Sequence, residues 1–183
     1  MIGCSLILGH LVTDFLLQPT KLANWKQKSN IGMFLHAFIL FAISGGLLFP
    51  YWDQALMWQF AAILAASHFI QDKIKVWYEL NYNKKRASYP FFIDQFIHLT
   101  VIFLIAKYLF WHLEPPTVSF NFSIYIYASL LILFSFALDI AVFQIKRHRN
   151  PNLKYKRDYD PITKRVLAFS VFYVVFLILS SQL

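Results

Sequence analysis

Ser67-His68-Phe69-Ile70-Gln71-Asp72-Lys73 sets a histidine and an aspartate four residues apart near the end of a long apolar run. On a helix that spacing puts both side chains on one face. The same pairing recurs as His10 with Asp14 and, in reverse order, as Asp94 with His98, each inside another apolar run. A polar group in hydrocarbon is costly unless it finds a partner, so these faces are expected to turn toward one another. The chain is read outward from that polar centre.

Of the 183 residues 58% are hydrophobic, with 20 Phe, 10 Tyr and 5 Trp, and only 14% are charged. A soluble domain of this length cannot hide so much apolar surface, which makes the lipid bilayer the expected solvent. The formal charge of +8 would suggest a nucleic-acid partner in a soluble chain. Here no nucleic-acid motif accompanies it, and the charge follows topology instead. The lone Cys4 excludes an internal disulfide and a cysteine metal cluster, leaving His and carboxylates to hold any metal.

Apolar runs over residues 2–18, 31–49, 55–80, 90–112, 122–145 and 166–179 predict an all-α polytopic bundle of six transmembrane helices. The first run lacks a basic flank and a small-residue cleavage site, so it is expected to be a retained helix rather than a signal. Prolines at Pro19, Pro50 and Pro115-Pro116 punctuate the runs, and Pro90 suits a first helical turn. Gly45-Gly46 would let a neighbouring helix approach closely. The first, third and fifth loops, with their flanks, hold every Lys and Arg except Lys107, so they are expected in the cytoplasm with both termini on the outer side. Trp52, Trp58 and Trp111 then fall near the outer interface and Trp25 and Trp77 near the inner one, as in an aromatic belt. One domain, 1–183, is expected: a four-helix His/Asp core over 1–113, then two further helices over 114–183 joined by a basic loop, 146–165.

With span directions fixed, depth can be counted at about 1.5 Å per residue. Asp14, His36, Asp72 and Asp94 come out roughly 6–12 Å from the cytoplasmic helix ends, and His10, His68 and His98 one turn deeper. Neutral imidazoles beside carboxylates suit a divalent metal, zinc first, with manganese or iron as alternatives. The metal candidates are His10, His36, His68, His98, Asp14, Asp72 and Asp94. The unligated members of Asp14, Asp72 and Asp94 are candidate general bases for a metal-bound water. One ion or two, with an aspartate bridging, stays open. Gln18, Gln95 and Asp139 are candidates for orienting the ligands, while His112 and His148 are expected to be structural or solvated.

The set His10-x-x-x-Asp14-Phe15-x-x-Gln18, His36, His68-Phe69-x-x-Asp72-x-x-Lys75 and Asp94-Gln95-x-x-His98 resembles the bacterial membrane family catalogued as domain of unknown function 3307, over the first two thirds of the chain. That resemblance implies a bacterial inner-membrane location rather than a reaction. A looser likeness, with a different span count and ligand spacing, is to intramembrane zinc hydrolases of the alkaline ceramidase kind, which combine three His with an Asp.

Three functions remain open from sequence. The first is metal-dependent hydrolysis of an amphiphilic or lipid-linked substrate, whose anionic headgroup would be drawn by Lys73, Lys75, Lys84, Lys85 and Arg86. The second is a proton- or metal-coupled transporter or channel using the same residues as a relay. The third is a non-catalytic membrane subunit that docks a protein through the 146–165 loop.

Overall fold

The computed structural model describes residues 1–82, 87–116, 122–150, 152–155 and 159–180, without side chains at 122 and 176–180. The described residues are helical and contain no strand. In order they form α1 (Ile2–Leu11) continued by a π-turn (Val12–Leu16), α2 (Thr20–Lys26), α3 (Asn30–Leu47), α4 (Ala55–Asn81), α5 (Tyr89–His112), α6 (Phe122–Ile132) continued by a second π-turn (Leu133–Ala137), α7 (Leu138–Arg149) and α8 (Tyr159–Ser180).

Helix α1 is central, packing against α3, α5 and α6, while α3 lies on α4 and α4 on α5. Each of these helices turns one seam inward at helical spacing, and each seam changes character halfway. In α4 it runs Met57, Ala61, Leu64 and then His68, Asp72; in α5 it runs Asp94, His98 and then Ile102, Ile105, Leu109. Helix α1 passes from Ile2 and Leu6 to His10 and Thr13, and α3 from His36 to Leu40. Apolar-to-polar alternates with polar-to-apolar because successive helices are antiparallel. One end of the bundle is therefore an apolar cluster of Leu6, Leu40, Met57, Leu64, Ile102 and Leu109, and the other gathers the His and Asp residues.

Local details set this geometry. The Leu17 amide donates to the Val12 carbonyl at 2.8 Å, the i→i+5 bond that widens the turn around Asp14. A Cβ on Gly9 would meet Ser44 Oγ at 2.9 Å, so α1 and α3 pack closely where only glycine fits. Gly45 plays the expected close-approach role, facing the Trp58 ring, whereas a Cβ on Gly46 would meet nothing within 4 Å.

Several expectations are corrected. The stretch carrying Lys21 and Lys26 is a helix, α2, bent 98° from α1 and packed on α3, rather than a loop. The basic connection is shorter than 146–165: α7 runs to Arg149 and α8 begins at Tyr159, where Asp160 and Pro161 suit a first turn and Lys164 pairs with Asp160 at 2.8 Å. Lys84, Lys85 and Arg86 lie outside the described residues. By length and composition three helices can cross a membrane, Asn30–Leu47, Tyr89–His112 and Ser123–Arg149, or four if Ile2–Leu16 with Thr20–Lys26 is one bent span. Helix α4 falls short because Gln59, His68, Gln71 and Asp72 interrupt its apolar run before the charged end with Lys73, Lys75 and Glu79.

Candidate metal centre

Seven side chains singled out by spacing are all buried: His10, Asp14, His36, His68, Asp72, Asp94 and His98. The closest contacts join different helices rather than the i,i+4 pairs. Asp14 lies on the widened turn, which leaves its Oδ2 4.0 Å from His10 Nε2 but sets Oδ1 3.1 Å from His36 Nε2 on α3. His68 Nε2 on α4 is 3.1 Å from His36 Nε2 and 3.4 Å from Asp14 Oδ1. Asp72 Oδ2 is 3.6 Å from both imidazole nitrogens. Four donor atoms from three helices thus gather around the two imidazole nitrogens.

On the opposite side His98 stacks on His68, with ring centroids 4.1 Å apart, and its Nε2 lies 3.3 Å from Asp94 Oδ1. The His10 ring borders both, at 5.6 Å from His68 and 5.1 Å from His98. Three overlapping trios could hold a metal ion: His36, His68 and Asp72; His10, Asp14 and His68; Asp72, Asp94 and His98.

Two glutamines frame the centre. Gln95 faces His10 Nε2 through its Oε1 at 3.3 Å and donates through Nε2 to Asp14 Oδ2 at 3.2 Å. It thereby fixes the orientation of one residue of each kind. Gln18, with its amide turned to satisfy both neighbours, donates to the Asp14 carbonyl and accepts from Lys26 Nζ at 2.9 Å. Asp139 is elsewhere: Tyr155 donates to it at 3.0 Å and Arg165 approaches to 3.5 Å, so it ties α7 to α8 and the segment before it. These contacts do not join it to the His/Asp cluster. His112 stacks on Tyr108 and His148 is exposed, as expected of structural or solvated residues.

Two lysines belong to the centre that spacing alone assigned to the basic flanks. Lys26 Nζ, buried, donates to Asp72 Oδ2 at 2.9 Å, and Lys75 Nζ donates to Asp94 Oδ2 at 2.8 Å. Lys75 is legible in hindsight, three residues after Asp72 on the same helical face. Lys26 is not, because only the bend between α1 and α2 brings it over the cluster. A cavity of about 580 Å³ opens beside these residues, with Asp14, Asp94, Gln95, Lys26, Lys75 and Arg147 in its wall.

A family model described as "Protein of unknown function (DUF3307)" matches residues 2–127. The chain belongs to that family. The matched span covers α1 to α5 and hence every residue of the His/Asp centre. No curated protein and no solved structure matches the chain.

Proposed function

We propose that this DUF3307 protein is an integral membrane metalloenzyme that hydrolyses an amphiphilic or lipid-linked substrate at a His/Asp centre open to the cytoplasm. One observation carries the reading. Five of the six separations among Asp14 Oδ1, His36 Nε2, His68 Nε2 and Asp72 Oδ2 run from 3.1 to 3.6 Å. Ligands held tetrahedrally at about 2.0–2.1 Å from zinc stand roughly 3.3–3.4 Å apart, so the protein already spaces these donors as zinc would. Zinc fits best, with manganese or iron as alternatives.

The bilayer reading rests on the outward faces. Phe34 and Phe38 of α3, Ile63, Ile70 and Ile74 of α4, and Phe96, Phe103 and Phe110 of α5 are all exposed, far more apolar surface than water tolerates on a monomer. Six crossings are proposed: α1 with its π-turn, α3, α4, α5, the α6–α7 helix and α8, with both termini outside and the basic connections in the cytoplasm of a bacterial inner membrane. Helix α4, at 27 residues and so about 40 Å, outruns a hydrocarbon core of about 30 Å, which places its charged end in the headgroups.

Hydrolysis needs a metal-acidified water, a carboxylate to take its proton and room for the scissile bond. The Asp residues supply the carboxylates and the cavity supplies the room, with Lys and Arg in its wall for an anionic headgroup. A transport relay would need polar groups along the whole seam, and the other half is mainly Leu, Ile and Met, with Ser5, Ser44 and Tyr51 the polar residues buried there among the described ones.

The test is elemental analysis of the detergent-purified protein beside folded His36→Ala and His68→Ala variants. One or two transition-metal ions per chain, lost or reduced in both variants, are expected, together with hydrolysis of lipid esters or lipid phosphates. No metal after resupply of zinc, manganese and iron overturns the proposal.

A further inference from the structure

Resting on the metalloenzyme reading above, we infer that the centre binds a second divalent ion, held by Asp94 and His98 and sharing Asp72 with the first. Four protein donors are offered to the first position, and a shell closed by all four would leave no place for water. Catalytic ions keep an open position, so that position belongs next door.

The neighbouring side chains fit it. His98 Nε2 is buried and makes no hydrogen bond, although Asp94 Oδ1 is only 3.3 Å away. An imidazole nitrogen and a carboxylate oxygen at that distance are spaced like two ligands of one ion. Asp94 is held in this pose from behind, since Lys75 donates to its other oxygen at 2.8 Å. Asp72 completes the trio. Because its Oδ2 belongs to the four-donor set, its remaining oxygen is the natural bridge, and carboxylate-bridged ions sit about 3.5–4 Å apart. The His10 trio offers no third position, as it reuses Asp14 and His68 from the first.

With three protein ligands the second ion keeps open positions. Asp94 is in the cavity wall, so an ion it holds would border the space open to substrate. Paired ions clamp the attacking and leaving oxygens of an in-line displacement, which points the substrate class toward phosphoric esters or anhydrides carried on a lipid.

Manganese(II) titration of the full-length, chelator-stripped protein in detergent tests this, read by equilibrium dialysis and by electron paramagnetic resonance. The expected result is two ions per chain with an exchange-coupled spectrum. His98→Gln, and independently Asp94→Asn, should fall to one ion with an uncoupled six-line spectrum, while His112→Gln keeps two. One ion in the unaltered protein that survives His98→Gln overturns the second position and leaves the first intact. Two uncoupled ions overturn the Asp72 bridge and with it the inference. No ion at all removes the metalloenzyme reading as well.

Discussion

Lys26 shows how strongly a single buried side chain is committed here. Its ammonium lies 2.9 Å from Asp72 Oδ2, and both side chains are nearly or fully inaccessible. Removing one partner of such a pair leaves a buried charge uncompensated, at about 3–5 kcal/mol. Lys26→Met is therefore expected to lower the unfolding temperature of chelator-treated protein, with added zinc recovering part of the loss. Thermal denaturation with and without metal measures both effects. Gln95 makes a gentler prediction: it touches His10 and Asp14 without lying in either of the proposed metal positions. Gln95→Leu should weaken metal affinity about 10–100-fold while leaving stoichiometry unchanged, as outer partners of metal ligands do. The pairs His10/Asp14, His68/Asp72 and Asp94/His98 were readable from spacing alone, because a four-residue interval on a helix states which residues share a face. Which pair members meet across helices was not readable. It depends on helix rotation, and for Asp14 on a π-turn that no residue pattern announces.

At the level of elements, the first π-turn and the contact at Gly9 cooperate to aim Asp14 at α3 instead of along its own helix. Gly9→Ala brings a methyl into Ser44 Oγ, and an overpacked helix contact of this kind costs about 1–3 kcal/mol. The next atoms, Ser44 Cα and N, are 3.5 and 3.6 Å away, an ordinary contact distance. The double variant Gly9→Ala/Ser44→Ala should therefore regain most of the stability lost in the single one, which paired melting curves would show. Helix existence was plain in the sequence for α3, α4 and α5, whose apolar runs are long and bounded by Pro or turn residues. Two elements were obscured for physical reasons. Helix α2 is only seven residues long, too short for a periodic signal, and it holds its place by packing on α3, with Gly32 against Trp25. The first turn of α8 was hidden by its own charges, which read as loop until Asp160 and Lys164 are seen to pair one turn apart.

For the molecule as a whole, the change along each seam divides the bundle into a polar half that meets the cavity and an apolar half that closes it off. That division was foreseen in part, since spans with charged residues confined to one end must assemble this way. The site is thus a cup, not a tube, and the cup has an electrical consequence. On the membrane reading proposed above, an applied voltage would fall across the apolar layer of Leu6, Leu40, Leu64 and Ile102, and a cluster reached through the cavity would stay at the potential of the cytoplasm. A divalent ion that crossed the full field to its site would feel about 4.6 kcal/mol per 100 mV, more than a thousandfold in affinity. Here metal loading should be the same within twofold in vesicles with and without an imposed diffusion potential, when the ion is offered from the cytoplasmic face. On that reading the ion would reach the centre without sensing the membrane voltage.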